Sequence, residues 1–360
     1  MLAGEAELFS WGFFDFGDWR LALTSPRRRP ASIGPAGKIA RSFQSLPPEP
    51  LYARGARGID GAAPGEPPAG GLAVFDEACS LAGGVLVTAS GEIVAESLAG
   101  AGQAGCCGPV RREGDGGVTA RVWPLTPMPR LAGDTIYLRE TGDGDYRHWL
   151  IDLLPRIAVA AQFCDLSRFK IAVSRSSAAM ASIIRDSLGL FGINPEQIVA
   201  IGARPTFFQR LVYPLPVANG ACAKSPRAIE VLEFLPARFP SAPAAPKRVY
   251  IGSQRPDDAT ILEALRPLGF TALDPAGMSF AEQVRAFSQA EAIVGDCGPG
   301  LANAVFATRG VRVLALTAPG GDEDFFADLI DLKQGRFGSL RSGASLDRAA
   351  FERVLDDFTR

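Results

Sequence analysis

At 360 residues the chain has room for two domains of roughly 100 to 200 residues each. Thirty-seven Lys and Arg against 39 Asp and Glu leave a net charge of −2, which excludes the basic excess that drives nonspecific nucleic-acid binding. Apolar residues at 47% and charged residues at 21% exclude both a disordered chain and a membrane bundle. The only histidine is His148, so any zinc site with several imidazoles and any catalytic histidine pair are excluded. The six cysteines, Cys79, Cys106, Cys107, Cys164, Cys222 and Cys297, form no CxxC pair, which suits free thiols in a reducing compartment.

The first residues, MLAGEAELFSWGFFDFGDWRLAL, place acids where a secretory signal carries basic residues, and Asp15 and Asp18 interrupt the apolar run. No stretch of about 18 apolar residues follows, so the expected location is the cytoplasm. Phe9, Trp11, Phe13, Phe14, Phe16 and Trp19 form an aromatic cluster ahead of Arg27, Arg28 and Arg29. It is expected to fold back onto the main body; the alternative is peripheral docking on the inner membrane or a protein partner. About a third of residues 21–70 are Gly or Pro, so 1–70 reads as an aromatic segment and linker.

From residue 71, AVFDEACSLAGGVLVTASGEIVAES reads as short strands joined by glycine turns, followed by a glycine-rich loop from Gly100 to Gly117. Next come a strand at Ile136–Leu138, a helix over Tyr146–Phe163, a strand at Lys170–Val173, a helix over Ser177–Leu190 and a strand at Gln197–Ile201. This alternation predicts a parallel sheet covered by helices. Ser225 and Pro226 form a cap and first-turn pair for a helix through Phe234. PARFPSAPAAPKR then breaks all periodicity, placing an interdomain linker at 236–246 between domains 71–235 and 247–360.

In the last block, Lys247–Gly252 reads as a strand. Ser279 and Glu282 stand at capping-box spacing, with Phe280, Val284 and Phe287 on one helical face. AIVG is a short buried strand that runs into Asp296-Cys297-Gly298-Pro299-Gly300, a helix through Phe306 and a strand at Val311–Leu316. The pattern is a βαβαβ half of a doubly wound sheet.

Two places carry residues suited to chemistry. The Gly298-Pro299-Gly300 turn lies between a strand end and a helix start, where backbone N–H groups favour an anion such as phosphate; glycine-rich turns also arise for packing alone. On a helix, His148 and Asp152 share a face, and Arg156 follows one turn on. A carboxylate beside an imidazole orients it as a proton acceptor, although a lone histidine is more often structural. Asp143-Gly144-Asp145 and Asp322-Glu323-Asp324 match the short acidic pattern that holds a divalent ion on a diphosphate, a pattern also common in turns and helix caps.

HWLIDLLPRI, KRVYIGSQ and GFTALDPAGMSFAEQVRAFSQAEAIVGDCGPGLANAVFATRG, in this order, resemble the signature of glycosyltransferase family 61, which contains many capsular-polysaccharide biosynthesis proteins. The resemblance covers roughly residues 130 to 320. It implies an α/β, GT-B-like fold of two Rossmann-type domains with parallel sheets facing a cleft. It further implies inverting transfer from a nucleotide-sugar donor, with UDP-linked sugars expected, to a glycan or lipid-linked acceptor. No cofactor and no metal are required. His148, Asp152, Pro155 and Arg156 match the family's first motif. His148 would be the base, Asp152 its orienter, and Arg156, Ser253, Arg255, Cys297, Gly298, Gly300, Leu301 and Asn303 the donor-binding set. Lys247 or Arg248 could add charge there. Cys297 stands where the family has histidine, and Gln254 displaces an expected arginine. These departures support a second reading, a non-catalytic homologue serving as a binding or assembly subunit. A third reading, a metal-dependent transferase, uses Asp143 and Asp145.

Overall fold

The computed structural model describes residues 20–23, 38–40, 71–88, 92–98, 110–112, 118–120, 129–218, 223–239, 245–252, 256–317, 323–341 and 348–359. The described residues divide into two compact units. Those up to Ala218 belong to the first and those from Ala223 to the second. The helix Pro226–Glu233, expected in the first domain, therefore lies in the second unit, and the 3₁₀ turn Leu235–Arg238 overlaps the linker expected at 236–246.

In the first unit, one sheet runs Ile198–Ile201, Lys170–Ser174, Arg130–Tyr137, Thr206–Pro214, Gly71–Ser80, Leu86–Thr88, Glu92–Val94 and Lys38–Ala40, with Arg20–Leu23 also beside Gly71–Ser80. The strands from Ile198 to Thr206 in that order pair in parallel, as expected. The expected wholly parallel sheet is corrected at Thr206–Pro214, which runs parallel to Arg130–Tyr137 but antiparallel to Gly71–Ser80. Beyond that seam Gly71–Ser80, Leu86–Thr88 and Glu92–Val94 also pair antiparallel, because they follow one another through short connections with no α-helix to carry a parallel crossover. Tyr137, Phe208, Leu211 and Tyr213 meet in the core beneath this seam, the Tyr137 ring edge-on to Phe208 at 5.7 Å and to Tyr213 at 6.1 Å.

The helix that follows is wound in two ways. His148–Leu153 is a π turn and Leu154–Phe163 continues as α-helix. Pro155 gives the physical reason: it has no N–H and its ring crowds the carbonyl four residues back, and a wider turn just ahead relieves both. Trp149, Leu150, Ile151, Leu153, Leu154, Ile157 and Val159 are all buried, and the Trp149 indole N–H donates to Ser187 Oγ at 3.0 Å on the helix Ala178–Gly189.

The second unit holds five parallel strands in the order Thr271–Leu273, Arg248–Ile251, Ala292–Asp296, Arg312–Thr317, Arg336–Arg341. Helices Asp258–Leu265 and Arg348–Thr359 bring Ile261, Leu265, Phe351 and Leu355 into one core with Tyr250, Val294 and Leu314, and Pro226–Glu233, Phe280–Phe287 and Glu323–Leu332 pack with the segment Pro299–Phe306. The capping box of Ser279 and Glu282 is present as expected. Two local expectations change: Pro299–Phe306 winds as a 3₁₀ helix, and Ser225 precedes its helix without a side-chain cap bond, its buried Oγ having no partner. The winding direction reverses between Arg248–Ile251 and Ala292–Asp296, so ligand space is expected outside the carboxyl ends of those two strands.

Candidate active site

Arg130–Tyr137 leads at its carboxyl end through Leu138 into Arg139 and Glu140, and the chain then turns through Thr141–Asp145 into the π turn. His148 Nδ1 lies 2.8 Å from Asp152 Oδ2, and its side chain is 31% exposed while that of Asp152 is 8% exposed. With the carboxylate accepting from Nδ1–H, the neutral ring presents Nε2 as its acceptor. Burial lowers the affinity of His148 for a proton, but the hydrogen bond and charge of Asp152, with the charge of Glu140, outweigh it. The imidazole is held above its ordinary range.

Arg156 sits one turn further, 1% exposed, where its Nε donates to the Asp152 carbonyl at 2.8 Å and its Nη2 to Glu140 Oε2. The structure thus places Arg156, expected on the donor, beside the His148 pair in the first unit. Glu140 is a site residue that sequence reasoning missed. Burial first, then the charge of Asp152, push its carboxyl up to about 7 against the opposing pull of Arg156 and His148. Asp152 Oδ1 and Arg156 Nη1 are buried and have no hydrogen-bond partner among the described residues.

Two glycines set the distances. Gly142 has φ +87°, and a Cβ there would fall 2.9 Å from His148 Cδ2 and 3.2 Å from Nε2. Gly84 has φ +80°, and a Cβ there would fall 2.6 Å from Glu140 Cα. Both positions need glycine for the backbone angle and for the close approach. The turn between them is fastened by Thr141 Oγ1 donating to the Gly83 carbonyl at 3.1 Å, and by Arg139, which pairs with Asp143 at 2.8 Å and donates to the Gly202 carbonyl.

That fastening already engages the two carboxylates on which the metal-dependent reading at Asp143 and Asp145 relies. Asp143 is buried against Arg139, and Asp145 accepts from the backbone N–H and Nε of Arg147. Asp322 lies outside the described residues; Glu323 accepts from Ser339 Oγ at 2.9 Å. Among the described residues, Glu140, His148 and Asp152 bring ligand-type atoms within 4.8 Å of one another. Within this trio Asp152 Oδ2 is engaged by the imidazole and Glu140 Oε2 by Arg156.

The second group of expected residues lies at the carboxyl ends of the two strands flanking the reversal. Ser253 and Arg255 fall outside the described residues. Cys297 and Gly298 are half-buried, with the Cys297 N–H donating to the Leu316 carbonyl at 3.1 Å. Gly300 has a packing role: a Cβ there would press on Ile251 Cγ2 at 3.1 Å and Pro275 Cγ at 3.5 Å. Leu301 is core, and Asn303 is fully buried, its Nδ2 donating to Gln283 Oε1 at 2.9 Å and to the Gly300 carbonyl at 3.1 Å. These three shape the turn from behind. Gly298 has no such constraint, with φ −137° and nothing within 4 Å of a Cβ.

Residues 146–314 match the family model described as Glycosyltransferase 61. This segment belongs to glycosyltransferase family 61. The family 61 region opens two residues before His148 and closes inside Arg312–Thr317, so it takes in the His148–Asp152 pair, Arg156 and the Gly298–Gly300 turn, while Gly84, Glu140 and Gly142 precede it. No curated protein matches the chain.

Proposed function

We propose that the protein transfers a sugar from a nucleotide-diphosphate donor to a glycan or lipid-linked acceptor in surface or capsular polysaccharide synthesis. The reading includes inversion at the anomeric carbon, no metal, a cytoplasmic location and a GT-B-like architecture. One observation carries it: the His148 imidazole, oriented by Asp152 at 2.8 Å, within a family 61 region. His148 takes the proton from the acceptor hydroxyl as that oxygen attacks the anomeric carbon. The bond from that carbon to the diphosphate breaks, and the negative charge departs on the diphosphate. A single base suffices for inversion.

Two features support the turn Cys297–Gly300 as the diphosphate site. It lies beside the reversal of the second sheet, and among the described residues Gly298 needs glycine neither for its backbone angle nor for packing, which leaves space for a ligand. Among the described residues no helix is long and apolar enough to cross a bilayer. A calorimetric screen of UDP-, GDP-, dTDP- and CMP-sugars, followed by transfer assays with and without EDTA, tests the reading. Binding of one nucleotide class with EDTA-insensitive transfer is expected. Binding without turnover would favour the non-catalytic homologue, and loss of activity in EDTA would contradict metal independence.

A further inference from the structure

Glu140 approaches the His148 pair from the strand side, and its position is built with care. Its backbone is backed by Gly84, where no side chain fits, and the turn after it is pinned by Thr141 and by the Arg139–Asp143 pair. Its carboxylate is held by Arg156 Nη2, while Arg156 Nε holds the Asp152 carbonyl, so one guanidinium spaces the strand end against the π turn. Glu140, His148 and Asp152 atoms all fall within 4.8 Å, with Glu140 8% and Asp152 6% exposed. The groups facing this cluster are the charged Arg156 and Arg147 from the helical segment and the buried, uncharged Tyr213 hydroxyl from Thr206–Pro214.

We propose that Glu140, clamped by Arg156, is a positioning residue for His148: it presents a second carboxylate to the imidazole and so stabilises the proton that His148 takes up. The proposal rests on the reading of His148 as base. Asp152 orients the ring through a hydrogen bond at Nδ1. Glu140 adds negative charge without a direct bond to the ring, in a setting where burial leaves little water to screen it. Because the Glu140 carboxyl itself titrates at about 7, its support is full only when it is ionised. Imidazole and carboxyl then titrate as a coupled pair.

The single histidine makes the test direct, since one labelled imidazole signal reports His148 without assignment. In Glu140→Gln we expect the imidazole titration to move to lower pH. The acidic limb of kcat should move with it, kcat should fall about tenfold and KM should change little, with partial rescue in Glu140→Asp. An unchanged imidazole titration in a variant that melts near the wild-type temperature overturns the proposal. Should Glu140→Gln not fold, the Glu140 carboxyl carbon in the wild-type protein decides. A two-step shift that tracks His148 supports coupling, and independent single titrations overturn it. Both titrations are read without substrate, so coupling that persists while His148→Ala retains full turnover would reject the base reading alone.

Discussion

Replacing Gly142 by alanine separates backbone strain from displacement of the imidazole. A Cβ at this position lies 2.9 Å from His148 Cδ2, short of ordinary contact by about 0.5 to 1 Å, and the backbone at φ +87° leaves the alanine no relaxed alternative. The ring must move by a similar distance, which stretches the 2.8 Å bond to Asp152 beyond useful length. Misplacement of a reacting group by about 1 Å costs up to roughly 100-fold, so turnover should fall about 10- to 100-fold, and the left-handed backbone should cost roughly 1 to 2 kcal/mol of stability. Two controls sit in the same unit. Gly133 has φ +80° with nothing within 4 Å of a Cβ, so Gly133→Ala should lose stability and keep turnover. Gly144 has neither constraint, so Gly144→Ala should change neither. Melting curves and steady-state transfer, with the single imidazole signal as a check on ring position, are the assays. Gly142→Ala with the turnover of Gly133→Ala would refute the argument that Gly142 sets the imidazole's place.

Folded stability should fall as pH rises from 5 to 8. His148 and Glu140 both bind protons more tightly folded than unfolded, so their contribution is present below their ordinary values and lost through the raised ones; for Glu140 this is on the order of a few kcal/mol. Thermal melts across this range should show the decline, and a flat profile would contradict the burial argument. Asn303→Ala strips the donor from Gln283 Oε1 and the Gly300 carbonyl and should cost about 1 to 3 kcal/mol in chemical denaturation; an unchanged midpoint would remove its structural role. Cys297→His gives the turn a stronger hydrogen-bond donor and should tighten nucleotide-sugar binding about tenfold by calorimetry, while unchanged affinity would place the diphosphate elsewhere.

In the second unit Thr271–Leu273 is too short and Arg336–Arg341 too broken by arginine and glycine to stand out, whereas Arg248–Ile251, Ala292–Asp296 and Arg312–Thr317 were legible as short apolar runs and the helix Phe280–Phe287 by Ser279 and Glu282. Thr206–Pro214 was not, since Gln209 and Arg210 interrupt its apolar pattern and only its place between two strands explains why it is central. His148 and Asp152 could be read from their spacing, and the helix brings them together even though its first turn is π-wound. Glu140 carried no local signal. Its partner Arg156 lies sixteen residues on, and only the fold brings the Glu140 carboxylate to His148 and Asp152. The glycines show the same limit: the packing of Gly300 against Ile251 was not visible in the sequence, and Gly142 and Gly84, which hold the site, resemble any turn glycine.

The most direct test of the central claim is turnover of His148→Ala against wild type, each saturated with the donor class found by calorimetry. Because no second imidazole exists to substitute, kcat should fall about 100-fold or more while donor affinity changes little. A variant that retains wild-type turnover would contradict the assignment of His148 as the base.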